Sequence, residues 1–237
     1  AVAKIRAFIE QRFAEAPRVV DVRDAHERGF TFDESRALAE PLSPVSPRGI
    51  YWNVTRASLK WAAPLSKGLQ IGRDTGHDSG STLDYVYRNT PQGAGALGRL
   101  IDHQYLNSIG WRGIRQRKVH VEELLQLAMQ TTRDNGLPLN LIDIAAGHGR
   151  YVLDAVNQSP IQPDSVRLRD YSDINVRDGA TLIVSRGLQQ IATFEKADAF
   201  DRASLARAKP TPTVAVVSGL YELFPLNAML VRSLARL

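Results

Sequence analysis

Hydrophobic spacing changes character along the chain. Within residues 1–40, Ile5, Phe8, Ile9 and Phe13 recur at helical intervals, and Pro17 closes that pattern. Thr31 or Asp33 is placed to cap a second helix running through Leu38. Three prolines within Pro41–Gly49 interrupt the periodicity and predict a linker. Beyond it, Ile50, Val54, Ala57, Trp61 and Leu65 share one stripe of a helical wheel, with Arg56, Lys60 and Lys67 clustered to one side. Pro64 is expected to bend or split that helix. Residues 72–98 are rich in Gly, Ser and Thr and read as a loop with one short element at Leu83–Tyr87. Val119–Thr132 predicts a helix whose apolar face is Val121, Leu124, Leu125 and Ala128.

From Leu139 the texture becomes strand, small-residue turn, helix, repeated. Leu139–Ala145, Val166–Arg169, Ile191–Phe194 and Val214–Ser218 read as strands. Arg150–Asn157, Val176–Gly187 and Asn227–Leu237 read as helices. This alternation predicts an α/β fold with a doubly wound, Rossmann-like parallel sheet built from right-handed crossovers. A mostly helical cap over 1–118, with its linker at 41–49, precedes a sheet domain over 119–237.

Composition narrows the chemistry. The 237 residues are 43% hydrophobic and 23% charged, as in a folded globular chain. There is no cysteine, which excludes disulfides, thiolate metal sites and cysteine nucleophiles, and the five histidines lack HExxH-type spacing, so no metal site is expected. No apolar run is long enough to span a bilayer. The opening stretch AVAKIRAFIEQRF is too charged for a signal peptide and lacks Met, as expected of a chain that starts inside a longer protein. Net charge is +5 but unevenly spread: −1 over 1–40, +7 over 41–120 and −1 over 121–237. The basic middle segment is either a surface for an anionic partner or a solvated face with none. Two of its three tryptophans, Trp52 and Trp61, stand beside basic residues, as in helices that lie on membrane surfaces, or else pack onto the sheet domain.

The stretch Leu141-Ile-Asp-Ile-Ala-Ala-Gly-His-Gly-Arg150 carries the clearest chemical signal. An apolar strand delivers Asp143 to a turn with small residues at Ala145, Gly147 and Gly149, where a ligand can lie against backbone. The helix that follows offers free N–H groups at its start. The dinucleotide pattern G-x-G-x-x-G fails at Val152, and no phosphate-gripping G-K-S/T sequence occurs. Asp170 then ends the second strand, Asp198-Ala-Phe200 follows the third, and Ser218-Gly-Leu-Tyr-Glu222 follows the fourth.

These segments resemble the motifs of class I S-adenosylmethionine-dependent methyltransferases, with Ala145 standing where the first glycine of the acidic-x-G-x-G-x-G pattern is usual. Most of the chain resembles a bacterial methyltransferase family found behind an α/β-hydrolase domain. The carriers are Leu83-Asp-Tyr-Val-Tyr-Arg-Asn89, Gly110-Trp-Arg-Gly-Ile-Arg-Gln-Arg-Lys118, Arg169-Asp-Tyr-Ser172 and Ser218-Gly-Leu-Tyr-Glu-Leu-Phe-Pro225. The resemblance implies S-adenosylmethionine as cofactor and an N-terminal fusion to a hydrolase domain. It assigns Asp143 to the amino-acid end of the cofactor, with Ala145, Gly147, Gly149 and Arg150 forming the bend. It assigns Asp170, with Tyr171 and Ser172, to both ribose hydroxyls. Asp198, Ala199 and Phe200 would hold adenine, while Ser218 and Gly219 would lie beside the methyl group. Tyr221 and Glu222 are the candidates to orient or deprotonate an acceptor. Tyr85, Tyr87, Arg88 and Asp78 are candidates for a lid. Such sheets have seven strands in the order 3-2-1-4-5-7-6, so the sequence implies a truncated C-terminal end and an open edge at the fourth strand.

Three functional readings follow: methyl transfer to a small-molecule or lipid-like acceptor, methyl transfer to RNA or protein through the basic segment 112–118, and a non-catalytic module that keeps the fold. No RNA-binding module or stacking platform accompanies that segment, which argues against nucleic acid. A cytoplasmic location is expected, with peripheral membrane contact through residues 50–71.

Overall fold

The computed structural model describes residues 40–223, and positions 33, 36, 37, 230 and 231 outside that span. The helices expected within residues 1–40 and at Asn227–Leu237 lie outside the described residues except at those five positions, all of them helical. The chain divides into two compact units between Lys118 and Val119.

The first unit is helical. Its described part holds α1 (Pro47–Ala62), α2 (Lys67–Thr75), α3 (Gly80–Arg88), α4 (Gly95–Leu106) and the first part of α5 (Ile109–Asp134), which continues past Val119. The expected linker is therefore shorter, because Pro47 sits in the first helical turn, where its missing N–H is no loss. Pro64 falls after the end of α1 and closes it. The glycine- and hydroxyl-rich stretch is mostly helix, contrary to the loop expected there. Ser66 caps α2 by accepting from Leu69 N, and Ser79 caps α3 by accepting from Thr82 N. Asn89 ends α3 in the left-handed conformation at φ 47°. The core of this unit is Tyr85, Val86 and Leu106, backed by Ile71, Tyr105, Trp111 and Ile114.

A single carboxylate ties α2, α3 and α4 together. Asp102 on α4 is fully buried and accepts from four donors: Ser66 Oγ at 2.5 Å, Gly68 N at 3.1 Å, Gln92 N at 2.9 Å and the Tyr85 hydroxyl. Burial alone would push its pKa up, but these donors outweigh burial and hold it below the usual carboxylate range.

The second unit is the parallel sheet. Its strands are β1 (Asn140–Ile144), β2 (Ser165–Asp170), β3 (Ala192–Lys196) and β4 (Val214–Val216), in the spatial order β3-β2-β1-β4. Between them run α6 (Arg150–Gln158), α7 (Asp173–Ser185) and the short α8 (Arg202–Ala206). All three pairings are parallel, with Asp143 opposite Leu168 and Val216, and Asp170 opposite Lys196. Every residue of β1 is buried, as befits a central parallel strand. One face carries Ile142 and Ile144 against Leu205 and Ala208. On α7, a Cβ at Gly179 would come within 2.1 Å of the Phe194 ring, so glycine is what lets α7 sit close on β3. Among the described residues β4 pairs with β1 alone, and its outer side borders a groove lined by Ala128, Thr132, Leu137 and Val214.

Candidate functional site

In a parallel sheet all strands end on the same side, and the crevice outside their carboxyl ends is where ligands bind such folds. The bend after β1 has three left-handed residues, Ala145 at φ 60°, Gly147 at φ 59° and Gly149 at φ 71°. Ala145 therefore keeps the backbone shape that a glycine would take, at a strain of about 1 kcal/mol. Gly149 also packs tightly, since a Cβ there would meet Leu168 Cδ1 at 2.3 Å. Directly after it α6 begins at Arg150, which places the bend at a helix N-terminus.

Asp143 stands behind this bend with 1% of its surface exposed. Neither of its oxygens has a protein hydrogen bond of good geometry. Burial pushes its carboxyl up to about 8; the Tyr151 hydroxyl draws it back, the Asp170 charge adds to the rise, and the Ile144 amide opposes it. A buried carboxyl left in this state is costly without a ligand.

Asp170 locks the bend to the neighbouring strand end. Its Oδ2 accepts from Gly147 N at 2.9 Å, and its Oδ1 accepts from Ser172 N at 2.9 Å and Asn175 Nδ2 at 3.0 Å. Three of the carboxylate's roughly four acceptor positions are thus taken within the chain. Asn175 belongs to this arrangement, and no sequence signal marked it. Tyr171 beside it is exposed, and Ser172 is half-buried at the start of α7.

After β3, Asp198 is exposed and turns back to accept from Phe200 N at 2.8 Å, with Ala199 and Phe200 half-buried. After β4, Ser218 and Gly219 precede a 3-10 turn, Tyr221–Leu223, in which Tyr221 is half-buried and Glu222 exposed. The sheet thus brings Asp143, the bend, Asp170, Asp198 and Ser218 to adjacent strand ends. Arg169, quoted above only within a motif, is buried on the opposite side of β2 from Asp170 and pairs with Glu195 at 3.0 Å and with Ser204.

The helical-unit candidates have other placements. Tyr85 is in the core on Asp102, and Arg88 pairs with Asp84 at 3.0 Å and lies over the Tyr85 ring, so these two are packing residues of their own unit. The basic run 112–118 is not an exposed patch: Arg112 and Arg115 are 3% and 5% exposed, Arg117 and Lys118 are half-buried, and Arg115 donates to Leu106 O at 2.7 Å. A nucleic-acid surface needs accessible cations, so this burial removes the basis for the RNA reading.

A parallel sheet with a small-residue bend after β1 and a carboxylate at each of the next two strand ends has the architecture of the doubly wound class. The family described as Putative methyltransferase matches residues 5–237, and the chain belongs to that family. The match accounts for these residues as methyltransferase alone and lends no support to the hydrolase fusion that the resemblance implied. Escherichia coli YnbC, a protein described as uncharacterized, is 45% identical over 237 residues, all of this chain and 40% of YnbC. The chain thus spans well under half the length of that relative. Among solved structures, an O-methyltransferase family protein from Burkholderia thailandensis is 13% identical, with a TM-score of 0.31 over 70% of this chain and 68% of that one. No described helix is long and apolar enough to cross a membrane.

Proposed function

We infer that the strand-end site binds S-adenosylmethionine and directs methyl transfer onto a small-molecule or lipid-like acceptor. The observation that carries this reading is Asp143: a buried acidic group whose oxygens make no protein hydrogen bond of good geometry, behind a bend that bares its backbone. A cationic ligand group at that bend would offset the burial of the carboxyl, and the cofactor in question carries both an ammonium and a sulfonium.

When bound, that cofactor supplies an already activated methyl group, so the protein's work is positioning and exclusion of water. Asp143, with the bend from Ala145 to Arg150, would hold the amino-acid end. Asp170 first ties two strand ends together and has its remaining acceptor position for one ribose hydroxyl rather than two. Tyr171 and Ser172 flank that ribose position. Asp198, Ala199 and Phe200 offer a carboxylate and an apolar surface suited to adenine, and Ser218 and Gly219 border the transferring group. Tyr221 and Glu222, just beyond β4, would orient an acceptor or take its proton.

The test is transfer of labelled methyl from S-adenosylmethionine into fractionated cell extract by the full protein. Label is expected in the small-molecule or organic-soluble fraction. Tyr221→Phe combined with Glu222→Gln is expected to lower transfer by about a hundredfold with cofactor binding unchanged. Label in RNA or protein would overturn the acceptor class, and no label in any fraction would overturn the transfer itself.

A further inference from the structure

The wheel of α1 has a stripe, Ile50, Val54, Ala57 and Trp61, that a helix in a globular unit ordinarily buries. Here the stripe faces solvent: Ile50 is 53% exposed, Val54 62% and Trp61 85%. Tyr51 and Trp52, off that stripe on the same helix, are exposed as an edge-on aromatic pair with ring centres 5.3 Å apart. Two branched aliphatics and a tryptophan exposed along one face of the helix form an apolar stripe that calls for a partner.

Charge selects that partner. From Pro41 to Arg73 the chain has five basic residues, Arg48, Arg56, Lys60, Lys67 and Arg73, and no Asp or Glu. Arg48, Arg56 and Lys67 are exposed. A second copy of the same helix would bring like charges together, whereas an anionic surface complements the whole segment. Aromatic rings with both apolar body and polar edge, flanked by long cationic side chains, suit the boundary between headgroups and acyl chains.

We propose that α1 is an in-plane docking helix for anionic lipid membranes, seated through Ile50, Val54 and Trp61 and drawn in by Arg48, Arg56 and Lys67. The stripe enters the interface and the cations meet lipid phosphates, so the helix lies on the bilayer rather than crossing it. This inference does not depend on the methyl-transfer reading, because α1 and its charges are independent of the strand-end site.

The test is co-sedimentation of the full protein with phosphatidylglycerol–phosphatidylcholine vesicles and with pure phosphatidylcholine vesicles. Binding is expected to the anionic vesicles, with a blue shift of tryptophan emission, and to weaken as salt rises. Val54→Glu with Trp61→Glu is expected to reduce vesicle partitioning by at least about tenfold. Both positions are exposed, so circular dichroism and the unfolding midpoint should stay unchanged, which separates lost docking from lost folding. Absence of wild-type binding to anionic vesicles would overturn the proposal. So would salt-sensitive binding that the double variant retains, which would mark a general polyanion surface. A concentration-dependent dimer abolished by Trp61→Glu, without vesicle binding, would assign the stripe to a second copy instead.

Discussion

Asp102→Ala is expected to destabilise the helical unit by about 3–5 kcal/mol, a large share of a typical domain's stability. The substitution strands the Gly68 amide and the Ser66 and Tyr85 hydroxyls in a buried space, while Gln92 N still donates to the Tyr85 hydroxyl at 3.0 Å, and each unsatisfied donor costs about 1–3 kcal/mol. Tyr85→Phe, which removes one donor and leaves three, should cost about 1–2 kcal/mol. Urea denaturation followed by circular dichroism checks both. The pH dependence follows from the lowered pKa. Because Asp102 is more acidic folded than unfolded, its contribution is present above about pH 4 and is lost as pH falls through the folded value. An Asp102→Ala protein as stable as wild type would show that the four donors find water or other partners.

Asp143→Asn is expected to have the opposite character. The folded carboxyl titrates near 8 against 3.8 in the reference state, so between those values the folded protein holds a proton that the unfolded chain has released. Stability must then fall as pH rises across that window, by about 1.4 kcal/mol per pH unit and of the order of 5 kcal/mol in all. Below the window both states are protonated and the penalty vanishes; above it both are ionised and the penalty is constant. Asparagine keeps the shape without the charge, so the variant should lose this slope and be more stable than wild type at pH 8, while losing the negative charge that a cationic ligand would meet. Denaturation midpoints at pH 5 and pH 8 for both proteins check the sign. A wild-type midpoint independent of pH would mean that the carboxyl is ionised throughout and has a partner.

The contrast between these two aspartates marks what the amino-acid sequence could convey. Asp143 was legible because a strand, a small-residue turn and a helix follow one another locally, and that order puts an acid at a strand end. Asp170 and Asp198 were legible for the same reason, since sheet topology converts short-range pattern into a shared site. Asp102 was not legible: its partners Ser66 and Gly68 lie 36 and 34 residues away, and nothing near position 102 announces them. Ser79 was misread as a loop residue because hydroxyls favour both turns and helix caps, and only the following helix decides which. The basic run at 112–118 misled in the other direction, since charge predicts a surface and Arg112 and Arg115 are buried. Asn175 needed the fold itself, because its contact with Asp170 depends on how α7 leaves the end of β2.

Calorimetric titration with S-adenosylmethionine tests most directly whether the strand ends form one cofactor site. Saturable one-to-one binding is expected in wild type, weakened at least about tenfold by Asp170→Ala and by Asp198→Ala. Asp198 is exposed, so its variant should fold normally and report on binding alone. No binding by folded full protein, or equal binding by wild type and both variants, would contradict the assignment.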